Sequence, residues 1–98
     1  MIDEDTAIKI ALKTGKVIIG SKRAIKSLIT NKAKLIIKAS NCPPEISDDL
    51  NHYTNLTKIK LHTYKGSSLD LGFICGKPFM ISTIAIEDAG DSDILKLN

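Results

Sequence analysis

The run Ala33-Lys34-Leu35-Ile36-Ile37-Lys38-Ala39 does most to restrict what this chain can become. Its composition is that of a strand, and its apolar positions are nearly continuous, which predicts a central strand covered on both faces. Asn31 is placed for a left-handed turn before it, and Ser40-Asn41-Cys42-Pro43-Pro44 breaks it. A chain of 98 residues that is 43% hydrophobic can cover such a strand twice only as one small domain, residues 1–98, with helices packed on a single sheet.

The flanking segments supply those helices. Ala7, Ile8, Ala11 and Leu12 form a helical stripe preceded by Asp3, Glu4 and Asp5, with Gly15 placed to end the helix. Residues 17–19 are a short strand. Ser21 is expected to cap a second helix, whose buried stripe is Ala24, Ile25, Leu28 and Ile29. Pro44 can open a third helix carrying Ile46, Leu50 and Tyr53 at i, i+4, i+7. Thr57, Ile59 and Leu61 alternate with Lys58 and Lys60 as a strand, and residues 62–66 are a loop. Ser67-Ser68-Leu69-Asp70 matches a capping box that opens a short helix closed by Gly76. Residues 79–86 alternate as the last strand, and an acidic turn leads through Asp91 or Ser92 into one terminal helical turn with Ile94, Leu95 and Leu97. The order is α-β-α-β-α-β-α-β-α, an α/β domain with four strands between helical layers, and the strand-helix-strand spacing implies a right-handed crossover between a parallel pair.

Charge is distributed unevenly. Residues 6–44 contain nine basic side chains and no acid, whereas residues 45–98 hold eight acids against five bases, within a net charge of +3. This asymmetry suggests a polyanion-binding face and a separate acidic face. No stretch of roughly 18 apolar residues and no basic-then-hydrophobic leader is present, so a cytosolic protein without a membrane partner is expected. Cys42 and Cys75 fit that setting as reduced thiols.

Open α/β sheets bind ligands beyond the carboxyl ends of their strands. Three loops fall there: Gly20-Ser21-Lys22-Arg23, Ser40-Asn41-Cys42-Pro43 and His62-Thr63-Tyr64-Lys65-Gly66-Ser67. Their contents suit RNA. Glycine permits close backbone approach, lysines neutralise phosphates, Asn41 can pair with a base edge, and Tyr64 can offer a stacking surface. Lys22 and Lys26, four apart, fall together off the apolar stripe of their helix. Tyr64 could be half-buried core, but its neighbours His62, Thr63, Lys65 and Gly66 favour exposure. Other chemistries are poorly supported. Gly15 and Gly20 lack the Gly-Lys-Ser/Thr that completes a phosphate loop. No acid is placed to orient His52 or His62 as a base for Cys42, and these residues with Cys75 lack the paired close spacing of a zinc site. Residues 88–93 lack a calcium loop's twelve-residue pattern. No catalysis, cofactor or metal is therefore expected.

The chain also resembles the archaeal and eukaryotic family of large-subunit ribosomal proteins numbered thirty, within the superfamily that binds kink-turn RNA. The resemblance rests on Thr14-Gly15-Lys16-Val17 through Gly20-Ser21-Lys22, then on Lys32-Ala33-Lys34-Leu35-Ile36-Ile37 through Asn41-Cys42-Pro43-Pro44. It continues at Leu71-Gly72 with Cys75-Gly76-Lys77, and at Asp88-Ala89-Gly90-Asp91-Ser92-Asp93-Ile94. It implies a three-layer α/β/α sandwich with a four-stranded mixed sheet, non-catalytic, located in the cytoplasmic ribosome and bound to a sharply bent ribosomal RNA loop. It further implies neighbouring ribosomal proteins as partners and a monomer when free. On the matching positions it implies RNA contacts from Gly20, Ser21, Lys22 and Lys26, base reading by Asn41, stacking by Tyr64, and a loop lining of Gly66 and Ser67. Relatives often carry a Gly-Asn-Asn-like run where this chain has Ser67-Ser68-Leu69. A kink-turn-binding subunit of a guide-RNA ribonucleoprotein is the alternative within the same fold; such relatives tend to have Asn-Glu where this chain has Ser21-Lys22. A small α/β enzyme is the distant third.

Overall fold

A computed structural model describes residues 4–92 and 94–96. Its elements are α1 (Glu4–Thr14), β1 (Lys16–Ile19), α2 (Ser21–Ile29), β2 (Leu35–Lys38), α3 (Pro44–Thr57), β3 (Lys60–Thr63), α4 (Ser68–Ile74), β4 (Thr83–Asp88) and a 3-10 turn (Ile94–Lys96). Asp3, Asp93 and Leu97, which entered the sequence reading, lie outside the described residues.

The four strands form one mixed sheet in the order β1-β4-β2-β3. β4 runs antiparallel to both neighbours, pairing Ala85 with Ile18 on one side and with Ile36 on the other. β2 and β3 are parallel, joined through α3. The nearly continuous apolar run of β2 is thereby explained, since alternate residues serve opposite layers. Leu35 and Ile37 join Ile84, Ile86, Ile8 and Leu71 under α1 and α4. Ile36 joins Ala85, Leu28 and Leu50 under α2 and α3. The expected α/β/α sandwich is what forms.

Several local expectations need correction. α3 continues through Thr57 before Lys58 ends it at φ 61°. The hydroxyls of Thr54 and Thr57 bond back to helix carbonyls of Leu50 and Tyr53, which satisfies them inside the helix. The third strand consequently starts at Lys60 and takes His62 and Thr63 from the expected loop. β4 starts at Thr83, four residues after Phe79. α2 turns its buried face toward Ala24, Ser27 and Leu28 and leaves Ile29 exposed, because Ser27 Oγ donates to Glu87 of β4 at 2.5 Å and can be satisfied inside. Gly15 ends α1 by close approach: a Cβ there would lie 2.0 Å from the Asp88 carbonyl oxygen. Other helix ends match expectation, the Ser67–Asp70 capping box of α4 among them. Asn31 at φ 61° closes α2, with Asn31 N–H donating to Leu28 O and Lys32 N–H to Ser27 O. Ser92 Oγ accepts from Ile94 N–H at the terminal turn.

Candidate nucleic-acid interface

One end of the sheet gathers the carboxyl ends of β1, β2 and β3 with the start of the antiparallel β4. Hydrogen bonds join the loops there. Gly20 N–H donates to Thr83 O at 3.1 Å, and Ala39 N–H to Ser82 O at 2.8 Å. Ser40 N–H reaches Gly66 O at 3.0 Å, and Ser68 N–H reaches Asn41 Oδ1 at 2.7 Å. Thr83 is fully buried, and its hydroxyl lies 3.3 Å from Ser21 Oγ and 3.8 Å from Cys42 Sγ. The three sequence-predicted loops are thus held as one rim, with β4 as the strut between the first and the second.

Gly20 stands at φ 111°, ψ 144°, a backbone state that suits glycine, and a Cβ added there meets nothing within 4 Å. Conformation demands this glycine, and the space above it stays open for a ligand. Ser21 is the first helical residue and not the cap; no side chain caps α2, so its first-turn N–H groups face outward with Lys22 and Arg23 exposed beside them. Lys26, a turn further along, lines a different groove from the one beside Gly20.

Asn41 is exposed, but its Oδ1 is held by Ser68 N–H. The bond fixes the amide plane and uses one of the two lone pairs on Oδ1, so the NH2 donors and the second lone pair still form the donor–acceptor edge that bidentate reading of a base requires. Ser67 spends its hydroxyl and N–H in the capping box with Asp70, at 3.3 and 3.0 Å. Gly66 packs on Tyr64, whose Cε2 would stand 2.7 Å from an added Cβ.

The expected exposure of Tyr64 is overturned. It is 2% exposed, inside the core cluster under α1 and α4, and its hydroxyl donates to Asp5 Oδ1 at 2.7 Å. Burial first, and then the Asp5 hydrogen bond and nearby carboxylates, push its phenol well above the usual tyrosine range. The exposed aromatics are Phe73 of α4, at 80%, and Phe79. Phe79 is 55% exposed and Met80 66% exposed in the segment before β4. With Val17, Ile19, Gly20 and Arg23 they line a groove of about 410 Å³ on the α2 side of the rim. The segment is seated on α4 where Gly72 leaves room; a Cβ there would come within 2.1 Å of the Phe79 carbonyl oxygen. The alternation of residues 79–86 predicts a strand that includes Phe79. The consecutive Phe79-Met80-Ile81 after Pro78, which breaks strict alternation, was the available signal.

Residues 4–96 match the Ribosomal protein L7Ae/L30e/S12e/Gadd45 family. The chain belongs to that family. Among similar members, large ribosomal subunit protein eL30 of Methanobrevibacter smithii is 47% identical over 95 residues, covering 97% of this chain and 96% of that one. The eL30 of Saccharolobus solfataricus is 53% identical over 90 residues, covering 92% and 83%. The eL30 of the plant Euphorbia esula is 44% identical over 92 residues, covering 94% and 82%. A solved structure of a protein with unknown function from Bacillus halodurans C superposes with a TM-score of 0.84 over 98% of this chain and 95% of that chain, at 20% identity. That last likeness concerns the fold alone. The stitched loop rim lies beyond the carboxyl ends of β1, β2 and β3, where open α/β sheets generally bind their ligands.

Proposed function

We propose that this chain is a non-catalytic structural constituent of the large ribosomal subunit in the cytoplasm. In this reading it acts as a single RNA-binding unit, monomeric when free, that holds a kink-turn of ribosomal RNA and lies beside other ribosomal proteins. The observation that carries the reading is the open Gly20 junction, where an uncapped helix start, Lys22, Arg23 and the exposed Phe79 and Met80 surround one groove. Backbone N–H groups and cations suit phosphates crowded at a bend, and an exposed aromatic suits a base that the bend unstacks. Asn41 adds donors on the neighbouring loop, while Ser21, Gly66 and Ser67 hold the rim in shape. The relatives named large ribosomal subunit protein eL30 support the ribosomal assignment.

The test is titration of a kink-turn RNA and a straight duplex against wild type, Lys22→Ala and Phe79→Ala at several salt concentrations. Phe79→Ala should cost about 1–3 kcal/mol on the kinked RNA, the usual range of one base–aromatic stack. Lys22→Ala should flatten the log–log salt dependence by roughly one unit, as expected for one lost phosphate contact on duplex. Equal affinity of wild type for kinked and straight RNA would defeat the reading.

A further inference from the structure

A second groove, of about 290 Å³, lies along the outer side of α2 and is lined by Arg23, Lys26, Thr30, Lys32 and Glu87 among others. Arg23 and Lys26 are three apart on one helix face. Lys32 joins them because the Asn31 turn folds the chain back against the end of α2. The one carboxylate in the lining, Glu87, is already engaged: it accepts from Ser27 Oγ and lies 3.4 Å from Lys16 Nζ. Arg23, Lys26 and Lys32 have no carboxylate within ion-pair distance among the described residues, and the Glu87 charge reaches Lys32 only from beyond that distance. Three like charges around one groove repel one another, and an anion seated between them would relieve the repulsion.

Arg23 also lines the groove beside Gly20, so the two grooves form one basic track. The track follows α2 from its open N-terminus to its C-terminal turn. Nine helical residues rise about 13 Å, enough to follow several successive nucleotides. A strand that leaves a sharp bend carries its phosphates away in one direction, and cations placed along that direction can accompany it. A free phosphate would need only one end of such a track.

We propose that Arg23, Lys26 and Lys32 form a second RNA-backbone groove that binds the phosphates of one helical arm leaving the bend held at Gly20. The inference rests on the RNA-binding function proposed above and extends its footprint to the far end of α2. Lys26 and Lys32 are the residues it adds to the groove beside Gly20.

The experiment compares a short-armed kink-turn RNA with versions in which each arm in turn is lengthened by one helical turn. Wild type, Lys32→Ala, Lys32→Glu and Lys13→Ala are titrated against each at several salt concentrations. Lys32 and Lys13 are exposed, and circular dichroism checks that all four proteins fold. Wild type should bind one long-armed RNA up to about tenfold more tightly than the short-armed one, with a steeper salt dependence. Lys32→Ala should remove much of that gain and Lys32→Glu all of it, with short-arm affinity within about twofold of wild type. Lys13→Ala, which removes the same charge from α1, should keep the gain. Wild type that binds long and short arms equally overturns the groove while leaving the functional reading intact. So does a Lys13→Ala loss equal to that of Lys32→Ala, because net charge then explains the effect. Failure of wild type to bind any kink-turn RNA overturns both.

Discussion

Replacing Tyr64 separates its two readings, base-stacking surface and core residue, because they place the loss in different measurements. In Tyr64→Phe the ring remains and one hydrogen bond, 2.7 Å from hydroxyl to Asp5 Oδ1, is lost. Hydrogen bonds to charged groups contribute about 1.5–3 kcal/mol, and Asp5 is only half-buried, so water can replace part of it. A folding loss of about 1–2 kcal/mol follows, or a urea midpoint lower by roughly 0.5–1 M at the m-value usual for small domains. In Tyr64→Ala a side chain that is 2% exposed, packed with Ala7, Ile8 and Leu71, disappears and leaves a cavity. By analogy with other buried aromatics the cost is about 3–5 kcal/mol, a large share of the stability of a small domain. The pH dependence supplies a second signature. Burial and Asp5 raise the folded-state phenol above its unfolded value, so the neutral form's contribution is complete below about pH 10 and is lost as pH rises further. The stability gap between wild type and Tyr64→Phe should therefore narrow above about pH 10. Urea melts monitored by circular dichroism, paired with RNA titrations, make the measurement. A Tyr64→Phe protein of wild-type stability would refute the reasoning, and so would a Tyr64→Ala protein that keeps its fold but loses RNA affinity.

Two further outcomes follow from the same structure. Gly72→Ala drives a methyl into the Phe79 carbonyl across a 2.1 Å gap, so α4 and the segment before β4 must separate; overpacking of this kind costs about 1–3 kcal/mol. Thermal melting should show a lower Tm, and titration should show weaker kink-turn binding even though Gly72 itself is buried. Glu87 is held below the usual carboxylate range, chiefly by the Ser27 hydrogen bond and then by Lys16 and Lys32. Its contribution is present above the unfolded value of about 4.3 and is lost as pH falls through the lower folded value. Glu87→Gln should therefore be less stable than wild type at pH 7, with the difference shrinking below about pH 4 in urea melts; a difference independent of pH would count against the Ser27–Glu87–Lys16 link.

Where the determinant was local, the chain alone made it legible. The run around Leu35-Ile36-Ile37 required layers on both sides, and both are present. The capping box needs only Ser67 and Asp70, three residues apart, and the Asn31 stop needs only one residue tolerant of positive φ. Gly20 before a basic helix start was likewise readable, because the backbone state and the charges lie within four residues.

The tertiary structure decided what depended on distant partners. β4 comes last in the chain yet lies between β1 and β2, and short apolar strands carry little in their own sequences to specify such a non-local pairing. Tyr64 has polar neighbours along the chain, but Asp5, 59 positions away, supplies the partner that lets its hydroxyl enter the core. Phe79 has strand-like composition, but Gly72 seats its carbonyl on α4 and leaves the ring exposed beside Gly20. Polar neighbours favoured exposure for Tyr64 and alternation favoured a strand for Phe79, whereas contacts between residues far apart in sequence bury the tyrosine and leave this phenylalanine exposed.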